Sequence, residues 1–263
     1  MVLSKSPRKA QFFLTLLLTL SVTGPTVSLA SDNDSVSMNK EILEMLIDLK
    51  QGFKLANKEY ENKNYAEALP LYEALSSKGL DLADFKLGRM YELGLGVEVD
   101  LQKAAKFYTS ASETNNVEAM FFLARFHLDG LGGLKKDHKR GIALWWKASE
   151  LDHAPSAYAL GSAMMSLGKI DLGYNRIRLA AFLEHPEAQL ELAKMIMTGD
   201  IPGGYSDLTL AYAWTLVAKI NGAKGAVELK EIIEPNLSEA QGNKAGPRVL
   251  QILNAIAEFN ENK

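Results

Sequence analysis

Residues 83–111 read Ala83-Asp-Phe-Lys-Leu87-Gly88-Arg-Met-Tyr91-Glu-Leu-Gly94-Leu-Gly96-Val-Glu-Val-Asp100-Leu-Gln-Lys-Ala104-Ala-Lys-Phe-Tyr108-Thr-Ser-Ala111. Ala83, Leu87, Met90 and Tyr91 recur at spacings of three and four, which is one face of a helix. Gly94-Leu95-Gly96 supplies left-handed backbone that ends this helix cheaply. Asp100 stands where an N-cap is wanted, and Ala104, Phe107, Tyr108 and Ala111 form the stripe of a second helix. Gly88, inside the first stripe, lets the paired helix approach closely. A bulkier side chain there pushes the two helices apart.

Outward from this stretch the same pattern returns. Ala119, Leu123, Ala124 and His127 are followed by Gly130-Leu131-Gly132-Gly133, then by Asp137, Leu144, Trp145 and Ala148. Ser156 opens a third copy with Leu160-Gly161, Ala188 a fourth with Leu192-Ala193, and Ala226 a weaker fifth. Successive starts are separated by 36, 37, 32 and 38 residues. A period in the thirties marks a stack of two-helix units that bury their apolar faces against one another.

Taken together, Ala-x3-Leu-Gly-x2-Tyr-x2-Gly-x-Gly-Val, then Asp, Lys-Ala-Ala, an aromatic pair and Ala resemble the Sel1-like repeat, a relative of the tetratricopeptide repeat. Residues 83–115 carry it through Leu87, Gly88, Tyr91, Gly94, Gly96, Val97, Asp100, Lys103, Ala104, Ala105, Phe107, Tyr108 and Ala111. Residues 119–152 follow, with His127 in place of the tyrosine and one extra loop residue. The third unit departs in its loop (Leu167-Gly168-Lys169). The fourth keeps Gly199, Asp207, Trp214 and Ala218 but inserts Ile201-Pro202-Gly203-Gly204. Upstream, Ala56, Ala68 and Tyr72 resemble a leading tetratricopeptide-like pair. The expected fold is therefore all-α, a right-handed α-solenoid of stacked helix-turn-helix repeats. The expected organisation is a signal peptide over 1–30, a mobile leader over 31–39, a helix and tetratricopeptide-like pair over 40–79, Sel1-like repeats over 80–225 and a helical cap over 226–263. A cap is needed because a terminal repeat otherwise exposes its apolar face.

The N-terminus has a different logic. Lys5, Arg8 and Lys9 precede an apolar run from Phe12 to Leu20, Gly24-Pro25 breaks it, and Ser28-Leu29-Ala30 places small residues before Ser31. This is the tripartite form of a secretory signal peptide, cut after Ala30, and the apolar run is too short for a spanning anchor. The expected location is periplasmic or secreted, without membrane insertion after cleavage.

From residue 31 onward the chain carries 26 basic and 32 acidic residues. That balance argues against nucleic acid as the partner, since phosphate binding needs clustered Lys and Arg. The chain has no cysteine, so disulfides, thiolate chemistry and Cys-based metal sites are excluded. His153 and His185 each lie five residues after a stripe alanine (Ala148, Ala180) and belong to junction turns. His127 falls in the apolar column of Tyr91, Met164 and Ile196, where a partly buried, hydrogen-bonded histidine is expected. His138 follows the cap Asp137 and is expected in solvent. The glycine pairs lack the strand before and the Gly-Lys-Ser/Thr after that a phosphate loop needs. No catalytic, metal or cofactor-binding residue is assigned.

The function expected from the resemblance is a noncatalytic scaffold, adaptor or regulator of protein assemblies in the bacterial cell envelope, with a protein partner on the concave face. The alternative is an envelope enzyme or ligand-sensing regulator tied to the cell wall. This chain lacks the paired cysteines of the relatives linked to that chemistry. One further residue stands out. Alignment places Trp145 over Tyr108 and Trp146 over Thr109, and adjacent helical residues point about 100° apart. Trp146 therefore either reaches into the neighbouring repeat or serves as an aromatic anchor for a partner.

Overall fold

The computed structural model describes the backbone of residues 33–263 and the side chains of residues 45–263. The expected signal peptide and the cut after Ala30 lie outside the described residues. Among these, the chain forms twelve α-helices, one 3-10 turn and no strand. In order they are α1 (Asn33–Glu61), α2 (Tyr65–Ser77), α3 (Asp81–Leu93), α4 (Leu101–Glu113), α5 (Val117–Asp129), α6 (His138–Glu150), α7 (Ala154–Ser166), α8 (Ile170–Phe182), α9 (Pro186–Thr198), α10 (Leu208–Ile220), α11 (Ala226–Ile233) and α12 (Glu239–Glu261). Each helix from α2 to α10 has 13 residues, close to 20 Å at a rise of about 1.5 Å per residue. The fold is a stack of helix-turn-helix repeats of the solenoid type. Residues 33–39, expected as a leader, are the first turns of α1. Apolar periodicity cannot reveal such a start, because these polar residues carry no stripe.

The chain divides into two compact units, Met1–Gly141 and Ile142–Lys263, with α6 giving its first turn to the first and the remainder to the second. In the first unit, Tyr72, Leu87, Met90, Tyr108, Met120 and Phe126 are fully buried. A Cβ on Gly88 would stand 2.6 Å from the Tyr108 ring, so the missing side chain is the space that this ring occupies. Asp84 is buried and accepts hydroxyl hydrogen bonds from Ser76 at 2.5 Å and Ser110 at 2.6 Å, tying α2, α3 and α4 together. Burial raises its carboxyl above the usual range, with Asp81 adding to the rise, while the two hydroxyls act against it.

The turns follow the spacing of the sequence. Gly94 (φ 69°) and Gly130 (φ 74°) close α3 and α5 in left-handed backbone. Asp100 accepts the Lys103 N–H and Asp137 the Arg140 N–H, each at 2.9 Å, which caps α4 and α6. Gly96 and Gly132 perform a second task. A Cβ on Gly96 would lie 2.5 Å from the carbonyl carbon of Tyr65, and one on Gly132 would lie 2.3 Å from the carbonyl oxygen of Leu101. Tyr65 and Leu101 open α2 and α4, so each turn rests on the second helix of the preceding pair. That contact is repeated, and it sets how one pair sits on the next.

In the second unit, Leu160, Ile177, Leu192, Val217 and Ile233 are fully buried, and Trp214 packs beside Phe182 at 5.8 Å between centroids. Gly161 meets Ile177 as Gly88 meets Tyr108. Asp207 caps α10 by accepting the Leu210 N–H. Pro235 lies in the 3-10 turn Glu234–Asn236, after which Ser238 and Gln241 form a capping box that starts α12. This last helix runs through Pro247 and packs on α10, burying Ala245, Ile252 and Ile256. Its far end reaches α8 and two earlier turns. Phe259 meets Phe182 edge-on at 5.5 Å, Asn260 donates to the Phe182 carbonyl and to Glu184, and Lys263 pairs with Asp152.

Candidate partner-binding face

The first helices of successive pairs present a half-buried face, and its composition differs between the units. On α3, Phe85, Arg89 and Glu92 follow at i, i+4 and i+7, so they share one stripe. On α5, Phe122 and Arg125 stand beside them. The Arg89 guanidinium lies 4.3 Å from the Phe122 ring centre and the Arg125 guanidinium 5.6 Å from it. Phe85 and Phe121 flank the same ring at 6.0 and 5.4 Å. Beneath it, Tyr108 stacks on Phe122 at 5.6 Å, which the empty Gly88 position permits.

Glu92 organises the charges. Its side chain is 11% exposed, pairs with Arg89 at 2.9 Å and approaches Arg125 at 4.0 Å. The Tyr108 hydroxyl donates to it. Burial and then the hydrogen bond to Glu92 push the Tyr108 hydroxyl far above its ordinary pKa, so it remains a donor. Arg125, by contrast, is 42% exposed. Lys86, one turn before Arg89, lies over Tyr60 of α1 at 4.8 Å. In the second unit the corresponding positions are Tyr158 and Ser162 on α7, and Leu190 and Lys194 on α9. Tyr158 stacks on His185 at 4.9 Å. No ring with two guanidiniums beside it occurs there among the described residues.

The residues singled out by the repeat pattern are framework. Leu87, Gly88 and Tyr91 on α3, Ala104 and Tyr108 on α4, Leu123 and Ala124 on α5, Leu160 and Gly161 on α7, Leu192 and Ala193 on α9, and Trp214 on α10 are all buried. Gly94, Gly96, Gly130, Gly132, Asp100 and Asp137 make the turns and caps described above. Trp145 is half-buried. Trp146 is 39% exposed and carries the Arg176 guanidinium 4.1 Å above its ring. Arg176 belongs to α8, in the next pair, and is held there by Glu150 at 2.7 Å and the Ser149 hydroxyl at 3.1 Å. The ring thus reaches the neighbouring repeat and still leaves part of its surface in solvent. The Phe85, Arg89, Phe122 and Arg125 cluster was not singled out from the sequence. The signal that could have found it is the arginine two residues after Leu87 and Leu123.

The histidines serve the scaffold. His153 and His185 stand at the N-caps of α7 and α9, where His153 Nδ1 pairs with the Ser156 hydroxyl at 2.7 Å and His185 Nδ1 accepts the Ala188 N–H at 3.3 Å. His127 is buried more fully than expected, and its Nδ1 has no hydrogen-bond partner, against the expectation of a bonded ring. Burial, then the Arg140 charge, hold the His127 pKa below the usual value, with Asp137 opposing. Burial likewise lowers His185, with Glu187 opposing. The unfolded chain takes up these protons near pH ~6.5, whereas the fold resists them until the pH is lower, so stability falls as the pH drops below that value. His127→Met, which copies Met164 of the same column, is expected to shrink the loss of stability between about pH 7.5 and about pH 5. Denaturant titrations at the two pH values measure it, and an unchanged loss would clear His127 of the effect. Among the described residues, no group of three His, Cys, Asp or Glu side chains could hold a metal ion.

The sequence profile of the Sel1 repeat matches residues 81–116, 117–153 and 186–218. These are the pairs α3–α4, α5–α6 and α9–α10. The pair α7–α8, whose turn is shortened to Leu167-Gly168-Lys169, is not matched. Chitin synthase regulatory factor 3 of Schizosaccharomyces pombe is 30% identical over 132 residues, 50% of this chain and 13% of that protein. An exopolysaccharide production negative regulator of Rhizobium leguminosarum bv. viciae is 29% identical over 178 residues, 66% of this chain and 58% of that protein. The chain thus spans less than two thirds of the length of either relative. The crystal structure of a Sel1 repeat protein from Oxalobacter formigenes shares the fold, with a TM-score of 0.63 over 80% of this chain and 86% of that one at 23% identity. Uniform helix pairs, turn glycines seated on the preceding pair and three matched segments show that this chain carries three Sel1 repeats.

Proposed function

We propose that the chain is a noncatalytic scaffold or adaptor of the bacterial cell envelope, exported by its N-terminal segment and cut after Ala30. It binds a protein partner through the first helices of its pairs, the side that is concave in stacked helix pairs. The observation that carries this reading is the Phe85, Arg89, Phe122 and Arg125 face, where rings and guanidiniums are held in place yet left part-exposed. Arginine and aromatic residues in such settings are enriched among binding hot spots. The relatives support it, since the matched proteins are named as regulators, one of them of exopolysaccharide production. Among the described residues, no helix is long and apolar enough to cross a membrane.

The test uses protein isolated from the periplasmic fraction of the native host, expected to begin at Ser31, as bait in envelope extract. A partner held by the native chain should be lost with Phe122→Ala, provided that the variant still melts cooperatively. Trp146 lies on α6, a second helix of its pair, and is a separate candidate anchor outside that face. Trp146→Ala is expected to cost only about 0.5–1 kcal/mol of stability, the worth of an exposed cation–π contact, while weakening capture. A bait that still carries residues 1–25, or capture indifferent to Phe122→Ala, would overturn the corresponding half of the reading.

A further inference from the structure

Resting on the scaffold reading, we infer that the α3–α5 face of the first unit takes an acidic peptide segment of its partner, with carboxylates on Arg125 and Arg89 and an apolar side chain on the Phe85–Phe122 rings. Three observations converge on this chemistry. The first is charge. The chain is acidic as a whole, yet Lys86, Arg89 and Arg125 lie together on this face. Glu92 is the carboxylate inside the cluster, and it is already engaged by Arg89 and by the Tyr108 hydroxyl. On α5, Glu118 stands two turns before Arg125 and Asp129 one turn after it, and Arg125 pairs with Glu92 rather than with either. Arg125 therefore keeps donors that no carboxylate of its own helix takes up.

The second observation is the geometry of Arg125. Its guanidinium comes to Glu92 only at 4.0 Å, is 42% exposed, and has its carbon 5.6 Å from the Phe122 ring centre. A part-exposed guanidinium whose only ion pair is this loose keeps paired N–H donors that match a carboxylate in a two-bond arrangement. Arg89, 25% exposed and bonded to Glu92, is placed to add charge rather than new donors. The third is the apolar floor. Phe122 packs on Tyr108 below and meets Phe85 and Phe121 at its edges, so the rings are already in place when a ligand arrives. Binding there orders few side chains, which lowers its entropic cost. The second unit has serine and lysine where Arg89 recurs, so the specificity belongs to the first.

The experiment measures fluorescence anisotropy with the full mature chain and labelled peptides. One peptide carries several Glu residues around a Phe, and the other is identical with Gln for Glu. A length of about ten residues, at ~3.3 Å each, crosses both helices. The acidic peptide should bind at least about tenfold more tightly than the Gln peptide, with an affinity that falls as salt rises. Arg125→Gln should weaken it by a similar factor, and Glu92→Gln should tighten it. Equal binding of the two peptides, with both lost in Phe122→Ala, would overturn the acidic assignment while leaving the scaffold reading intact. Equal competition by a single-stranded oligonucleotide would overturn it in favour of unspecific anion binding. Absence of acidic-peptide binding at low salt would also overturn it, and Phe122-dependent capture from envelope extract then decides the scaffold reading separately.

Discussion

Truncating Tyr108 to alanine is expected to lower the free energy of unfolding by about 3–5 kcal/mol, the range for removing a large ring from a closed core. Tyr108 is fully buried, stacks on Phe122 at 5.6 Å and meets Phe126 edge-on at 5.5 Å. Its ring fills the space that Gly88 leaves on α3, so the truncation opens a cavity between α3, α4 and α5 together. Tyr108→Phe separates the ring from the hydroxyl. It keeps the packing and removes only the donor to Glu92, which Arg89 still holds, so its cost should be about 1 kcal/mol. Denaturant titration of both variants checks the pair. A loss below about 1 kcal/mol for Tyr108→Ala would mean that α4 does not pack as described.

What could be read from the sequence, and what could not, divides along the range of the interactions. Helix stripes, the caps Asp100, Asp137 and Asp207, and the left-handed Gly94 and Gly130 depend on residues within one helix or turn, and all appear at the expected places. Asp84 shows the limit. From the sequence it is one more helical carboxylate, and its role as a tie exists only because Ser76 and Ser110 arrive from two other helices. The candidate face fails to appear for the same reason. Phe85 and Phe121 occupy equivalent positions in their repeats, yet it is Phe122 that takes up Arg89, because the register between one pair and the next sets which ring lies beneath which guanidinium. Repeat spacing fixes that there is a register but not its value. Trp146 repeats the lesson, since its partner Arg176 is contributed by the following pair.

The register is set where turn meets helix, and Gly132 is where that meeting is tightest. Gly132→Ala is expected to destabilise the protein by about 2–5 kcal/mol, combining two costs. The backbone there has φ +60°, which an L side chain adopts only with strain. The new Cβ would also lie 2.3 Å from the Leu101 carbonyl oxygen and 2.9 Å from Ala105 Cβ. Neither can withdraw easily, since Leu101 opens the rigid helix α4 and Ala105 is its buried neighbour. Gly133→Ala is the internal control. Its φ of +77° carries the same conformational strain, but the nearest atoms are 3.9 Å away on the flexible Gln102 side chain. The control should therefore lose only the strain, about 1–3 kcal/mol. The difference between the two variants measures the seat of the turn on the preceding pair. Since that seat positions α5, and with it Phe122 and Arg125, Gly132→Ala should weaken acidic-peptide binding under conditions where it remains folded, while Gly133→Ala should not. Equal destabilisation by the two substitutions would show that the turn does not rest on α4, and that another contact holds α5 in register with α3.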